Sequence, residues 1–322
     1  SFSPDGNYVM VSQIKKPFSY LVTYGRFPSQ TDIFNKQGKL IKNLLDTPLI
    51  EELPKGRMST RTGKRSYNWR ADKPSTLTYV KALDGGDPAI KKEYRDEVFE
   101  IEAPFNGEGK SLVKTVNRFS GIDWGTEGLA IVYDYWWDTR NRKAYVFNPS
   151  NSSSKPKVLY DRNYQDIYSD PGSFLKARNA FNKNVLMLHK GSAYLRGAGF
   201  SSDGQFPFVD KLNITTLNKS RVYQSKYTDK AEAIQDYSPA TNELIVRIES
   251  PTEYPNYYSK KTNGKRLTKI TDFENPFKEL QNVKKEVITY KRDDGLELSG
   301  ILYLPVNYDE EKKEKAPMIL WA

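Results

Sequence analysis

One short unit restarts five times along this chain: an aromatic residue, a turn rich in Pro, Asp, Gly or Asn, and then an apolar run. It reads FSPDGNYVMVS from Phe2, WRADKPSTLTYV from Trp69, WGTEGLAIVY from Trp124, FNKNVLMLH from Phe181 and YSPATNELIVR from Tyr237. The leading aromatics lie 67, 55, 57 and 56 residues apart. The units continue into further alternating runs split by polar turns, as in TDIFNKQGKLIKNL, RKAYVFNPSNSSSKPKVLY and NYYSKKTNGKRLTKIT. β-Branched and aromatic residues at period two, punctuated by Gly, Asn and Ser, read as antiparallel strands. A unit of four short strands repeated at this spacing predicts an all-β chain built as a β-propeller, about five blades of a larger one. A sandwich has no reason to restart so regularly.

The SPDG turn shows how the restart is encoded. Pro4 presets φ for the first corner, Asp5 accepts a local backbone hydrogen bond, and Gly6 tolerates the positive φ that closes the hairpin. The chain opens inside such a unit and without methionine, so one to three further blades are expected upstream of Ser1, and no targeting signal is read from it.

At 322 residues, 37% hydrophobic and 13% aromatic, the chain has material for a large repeat domain and part of a second. Fifty basic against 40 acidic residues give a net charge of +10, but the basic residues are scattered and form no patch of the kind nucleic acid needs. With no cysteine, disulfides, thiolate nucleophiles and Cys-based metal sites are excluded. The single histidine, His189, sits in the apolar run VLMLHK and reads as a strand residue. No apolar run approaches the roughly 18 residues of a membrane-spanning helix.

After Phe277 the rhythm stops, which divides the chain into residues 1–277 and 278–322. The tail has two alternating strands joined at Asp294-Gly295, a charged DEEKKEK linker and an apolar run, Met318 to Trp321, that reads as a strand. The stretch ITYKRDDGLELSGILYLPVNYD, followed by KAPMILWA, resembles the start of the catalytic α/β-hydrolase domain of the prolyl oligopeptidase family of serine peptidases. GRFPSQTDIFNKQGKLIKNLLDTPLIEELP, RSYNWRADKPSTLTYVKALDGGD, SGIDWGTEGLAIVYDYWWDTRNRKAYVFNP and DIYSDPG resemble the glutamyl endopeptidase branch of that family.

The resemblance implies cleavage of peptides by a Ser-His-Asp triad, with the serine on a G-x-S-x-G elbow. No G-x-S-x-G occurs here. Ser192 in KGSAYLRG lacks the closing glycine, and neither it nor His189 is assigned a catalytic role. The family's oxyanion tyrosine follows the strand that here reads MILWA, so the triad and oxyanion loop are expected beyond Ala322 and residues 1–322 alone are expected to be inactive. The implied partners are peptide substrates and the chain's own hydrolase domain. No cofactor and no metal is implied, and the expected location is periplasmic or secreted, with the cytoplasm as the alternative.

If the enzyme cuts after glutamate, a carboxylate must be held, and arginine does this best through its planar fork. Two basic loops supply candidates: RMSTRTGKRSYNWR, with Arg57, Arg61 and Arg65, and YWWDTRNRK, with Arg140 and Arg142 beside Trp136 and Trp137. The bland reading is a solvated face on which Arg stems cover aromatics. Glu51 and Glu52 are candidates for a substrate's amino terminus, and Ser169 to Gly172 reads as a turn. Two other functions fit a propeller: an interaction scaffold without catalysis, and a glycosidase using paired carboxylates such as Asp123 and Asp236.

Overall fold

The computed structural model describes every residue except 282, 310, 313, 314 and 322. Among the described residues there is no α-helix, only two 3-10 turns, at Tyr24–Arg26 and Lys278–Leu280. Everything else regular is antiparallel sheet, in five successive blades and a separate hairpin that follows them.

Blade 1 has strands β1 (Tyr8–Ile14), β2 (Ser29–Asn35) and β3 (Leu40–Thr47), with a lone bridge from Phe2 to Val9 where the other blades carry an innermost strand. Blade 2 is the meander β4 (Arg65–Trp69), β5 (Thr76–Ala82), β6 (Asp96–Glu102) and β7 (Lys110–Thr115). Blade 3 repeats it with β8 (Arg118–Thr126), β9 (Leu129–Trp136), β10 (Asn141–Phe147) and β11 (Lys157–Asn163). In blade 4 the innermost strand is broken. Its halves β12 (Ser173–Phe174) and β15 (Leu188–His189) flank an inserted hairpin, β13 (Lys176–Arg178) and β14 (Asn184–Leu186). Both halves pair with β16 (Ser192–Gly197). A small pair, β17 (Phe200–Ser201) and β18 (Gly204–Gln205), precedes β19 (Phe208–Asn213) and β20 (Lys219–Gln224). Blade 5 comprises β21 (Ala231–Ser238), β22 (Glu243–Glu249), β23 (Asn256–Lys261) and β24 (Leu267–Lys269).

The predicted SPDG turn forms. Gly6 has φ 72°, and the Asp5 carboxylate accepts hydrogen bonds from the Asn7 amide (3.2 Å), the Ser3 hydroxyl (2.6 Å) and, from the matching turn of blade 2, the Ser75 hydroxyl (2.7 Å). The fourth restart falls elsewhere than expected. Phe181 lies in the tip of the inserted hairpin, and the turn from the innermost to the second strand is Lys190-Gly191, which closes by two positive φ angles of 48° and 71° and needs no aromatic lead.

What makes these sheets one body is the material between them. Ile33 of blade 1 packs with Leu77, Tyr79 and Ile101 of blade 2. Val80, Val98 and Val113 of blade 2 pack with Trp124, Ala130 and Val132 of blade 3. Ile131 and Val146 meet Phe174, Ala193 and Leu195 of blade 4, and Tyr194 and Val209 meet Leu244, Val246 and Ile248 of blade 5. Every core cluster joins one blade to the next, as face-to-face stacking of twisted sheets requires. Burying each Val, Leu, Ile or Phe among them contributes about 1.5–3 kcal/mol.

Meander connectivity fixes two edges. The innermost strand of each blade begins at what is here called the upper edge, where the outermost strand of the preceding blade ends. The loops from second to third strand lie there too. Turns from first to second and from third to fourth strand lie on the lower edge.

Beyond Lys269 a connection leaves the upper edge and reaches the predicted hairpin, β25 (Lys284–Lys291) and β26 (Glu297–Leu304), turning at Gly295. The expected boundary after Phe277 falls within that connection. No residue of the hairpin joins a core cluster. Met318 to Trp321 does not form the expected strand: all four side chains are exposed and the backbone is unpaired. An apolar run becomes a strand only when a neighbour completes its hydrogen-bond ladder, and none of the described strands lies beside this one. The DEEKKEK linker lies in part outside the described residues.

Candidate functional site

All five predicted arginines lie at the upper edge of blades 2 and 3. Arg57 and Arg61 are in the loop from β3 to β4, Arg65 opens β4, Arg140 is in the loop from β9 to β10, and Arg142 is at the start of β10. Two loops far apart in sequence meet here. The Arg57 and Arg140 guanidiniums lie 4.4 and 4.2 Å from the centre of the Trp137 ring, a cation–π arrangement that holds two like charges on one aromatic. Arg140 sits at φ 55° and donates to the Trp137 carbonyl of its own turn. Among the described residues, the guanidiniums of Arg57 and Arg142 form no hydrogen bond or ion pair, and that of Arg140 has no carboxylate partner. The guanidinium of Arg142 stands 5.7 Å from the Tyr133 ring.

The other two arginines are committed elsewhere. Arg65 is 9% exposed and pairs with Asp96 at 2.6 Å. Arg61 folds back onto the carbonyls of Thr62, at 3.2 Å, and Lys64.

Beneath them is a cluster that sequence reasoning missed. Arg118, 4% exposed, donates to Asp84 (2.8 Å), Asp96 (3.2 Å), the Arg95 carbonyl (3.2 Å) and the Met58 carbonyl (2.8 Å). Arg95 reaches Asp84 at 2.9 Å and lies over Trp136 at 3.9 Å. Burial alone would raise the Asp84 pKa. The hydrogen bond and charge of Arg118, with help from Arg95 and the Gly86 amide, outweigh it and hold the carboxyl below its ordinary value. Three guanidiniums face two carboxylates, so the clasp keeps a net positive charge. It fastens the loop carrying Arg57, through Met58, to the innermost strand of blade 3. No spacing rule links Arg118 to Asp84, and the signal available in the sequence was only an arginine at the start of a strand, beside Phe119.

The remaining candidates are dispersed. His189 and Ser192 are ladder partners across the turn of blade 4, and Ser192 is buried. Asp123 of β8 pairs with Lys176 at 2.6 Å and accepts from the Tyr133 hydroxyl at 2.9 Å. Burial and the Asp123 charge push the Tyr133 pKa up. Asp236 lies in blade 5 and accepts from the Tyr237 amide at 2.8 Å, so the two carboxylates considered for glycosidase chemistry belong to different blades. Glu51 accepts from the Ser19 hydroxyl at 2.8 Å, and Glu52 is exposed beside it. Among the described residues, no group of three or more His, Asp or Glu is placed to hold a metal ion, and no helix is long and apolar enough to cross a membrane.

Chemically, the upper edge offers guanidinium donors held by aromatic faces and free of protein carboxylates, which suits it to an anion such as a peptide carboxylate. No family model matches the chain. It is 36% identical to a rice (Oryza sativa) protein named "Probable glutamyl endopeptidase, chloroplastic", over 99% of this chain and 36% of that one. It is 34% identical to the Arabidopsis thaliana protein of the same name, over 99% of this chain and 35% of that one. The chain thus spans about a third of the length of these curated relatives. Among solved structures, one from Bacteroides ovatus named for dipeptidyl aminopeptidase IV superposes with a TM-score of 0.51 at 13% identity, covering 97% of this chain and 45% of that one, a likeness of fold.

Proposed function

The chain belongs to the prolyl oligopeptidase family, in its glutamyl endopeptidase-like branch, and from that premise we propose that it is the propeller portion of a serine peptidase that hydrolyses peptide bonds after glutamate. The Ser-His-Asp site lies beyond residue 322, in an α/β-hydrolase domain that residues 284–321 begin. The propeller admits peptides and steers acidic ones towards that site.

The carrying observation is the set of unpaired guanidiniums of Arg57, Arg140 and Arg142 on the edge from which the chain leaves the last blade. Two features support the missing domain. Large apolar side chains are exposed on the same edge, among them Phe18, Tyr20, Leu21, Tyr24 and Tyr168, and along the tail at Val287, Ile301 and Met318 to Trp321. Apolar surface of this kind calls for a covering partner.

A fluorophosphonate probe, which labels activated serines, tests the reading. The full-length protein is expected to label at one serine beyond residue 322, and residues 1–322 alone are expected not to label. Labelling of a serine within residues 1–322 overturns the placement of the site. Failure of the full-length protein to label favours the non-catalytic scaffold.

A further inference from the structure

The hairpin inserted into blade 4 is not needed to complete its sheet. β12 and β15 both pair with β16 without it, and its base is closed by the Met187 amide donating to the Leu175 carbonyl at 2.9 Å. From that base residues 176–186 cross the innermost strand of blade 3 and reach the lower edge of blade 2. Leu186 packs with Leu129, and Val185 with Trp124. Gly125 makes room for this crossing: a Cβ there would sit 3.2 Å from Leu186 Cδ1, tighter than ordinary contact. Innermost strands present their free edges to the propeller axis, so the hairpin lies in the axial channel. It bounds a cleft of about 470 Å³ lined by Ser66 and Asn68 of β4, Ser120 and Asp123 of β8, and Lys176 and Asn184 of the hairpin itself.

Its attachment is slight and specific. Val185 and Leu186 are its only buried side chains. Two polar contacts add to them: Lys176 with Asp123 at 2.6 Å, and Asn179 Nδ2 donating to the Ala71 carbonyl at 2.7 Å. Asn179 also organises the tip, its Oδ1 accepting from the amides of Phe181 and Lys183, each at 3.0 Å. One side chain therefore shapes the hairpin with its acceptor and docks it with its donor.

We propose that residues 176–186 form a strap that lifts as a unit from blades 2 and 3, closing the lower mouth of the channel when docked and opening it to an extended polypeptide when raised. Segments with few buried contacts open at low cost while the sheet behind them stays formed. The lifting of the strap is independent of the peptidase reading, because its test measures a distance and not activity; only the polypeptide that it admits rests on that reading.

The chain has no cysteine, so two exposed positions, Ala180→Cys at the hairpin tip and Lys114→Cys on blade 2, give a unique spin-label pair for double electron–electron resonance on the whole chain. The parent is expected to show one dominant short distance. Asn179→Asp keeps the acceptor that shapes the tip and removes the docking donor. It is expected to raise the ratio of long to short distances about fivefold, the worth of one hydrogen bond. Lys176→Gln is expected to shift the ratio in the same direction by less. Amide exchange of β15 and β16 should stay that of the parent in both variants. An unchanged single distance in both folded variants overturns the proposal, as does a longer distance accompanied by lost protection of β15 and β16, which is unfolding of the blade rather than lifting of a strap.

Discussion

Replacing Arg118 with alanine tests whether the upper-edge clasp is structural. The side chain is 4% exposed and makes four hydrogen bonds, two of them to carboxylates. Removing one partner of a buried ion pair costs about 3–5 kcal/mol when the other is left unpaired. Here Asp84 keeps Arg95 at 2.9 Å and Asp96 keeps Arg65 at 2.6 Å, so neither carboxylate is orphaned. The Met58 carbonyl loses the Arg118 donor, and the guanidinium leaves a void. The low end of the range, about 3 kcal/mol, is therefore expected. With a urea m-value of about 3 kcal/mol/M, the midpoint of unfolding followed by tryptophan fluorescence falls by about 1 M. Arg57→Ala, at an exposed residue, is the control and should stay within about 0.5 kcal/mol of the parent. Arg118→Lys keeps the charge but not the fork and should fall between. An Arg118→Ala midpoint as close to the parent as that of Arg57→Ala refutes the clasp.

Leu244→Ala opens a cavity in the core between blades 4 and 5, where Leu244 is fully buried beside Tyr194 and Val209, and should cost about 2–5 kcal/mol by the same urea assay. Asp84 sets a pH dependence. Because its folded pKa is depressed below 3.8, its contribution is complete above that value and is lost as pH falls through the folded value. Asp84→Asn should therefore be less stable at neutral pH and converge on the parent in acid; a constant gap down to pH 2 would contradict the assignment.

The propeller was legible because each restart combines turn chemistry with period-two alternation, two signals that agree. The fourth restart misled for a physical reason: Phe181 and Asn182 make a sound hairpin turn, but in an inserted hairpin, while the sheet's own turn at Lys190-Gly191 carries no aromatic. Met318 to Trp321 has a strand's composition without a strand's neighbour. The arginines divide in a way no local pattern shows. Arg65 and Arg57 stand in one basic stretch, yet Arg65 meets Asp96 brought alongside by the sheet, and Arg57 lies over the Trp137 ring from another blade. Residue type indicated carboxylate chemistry, and tertiary pairing decided which side chains remain free for it.

On the proposed peptidase function, the most direct test of the upper edge as a selector of acidic peptides is kcat/KM of the full-length protein for paired substrates that differ only by Glu or Gln at the cleaved residue, at low and high salt. Unpaired guanidiniums that steer a peptide carboxylate act through long-range attraction, which salt screens within about 10 Å at 0.1 M. The triple variant Arg57→Ala, Arg140→Ala, Arg142→Ala is expected to lose Glu-over-Gln preference roughly tenfold at low salt and much less at several hundred millimolar. An unchanged preference at both salts would contradict the account and remove the propeller from substrate selection.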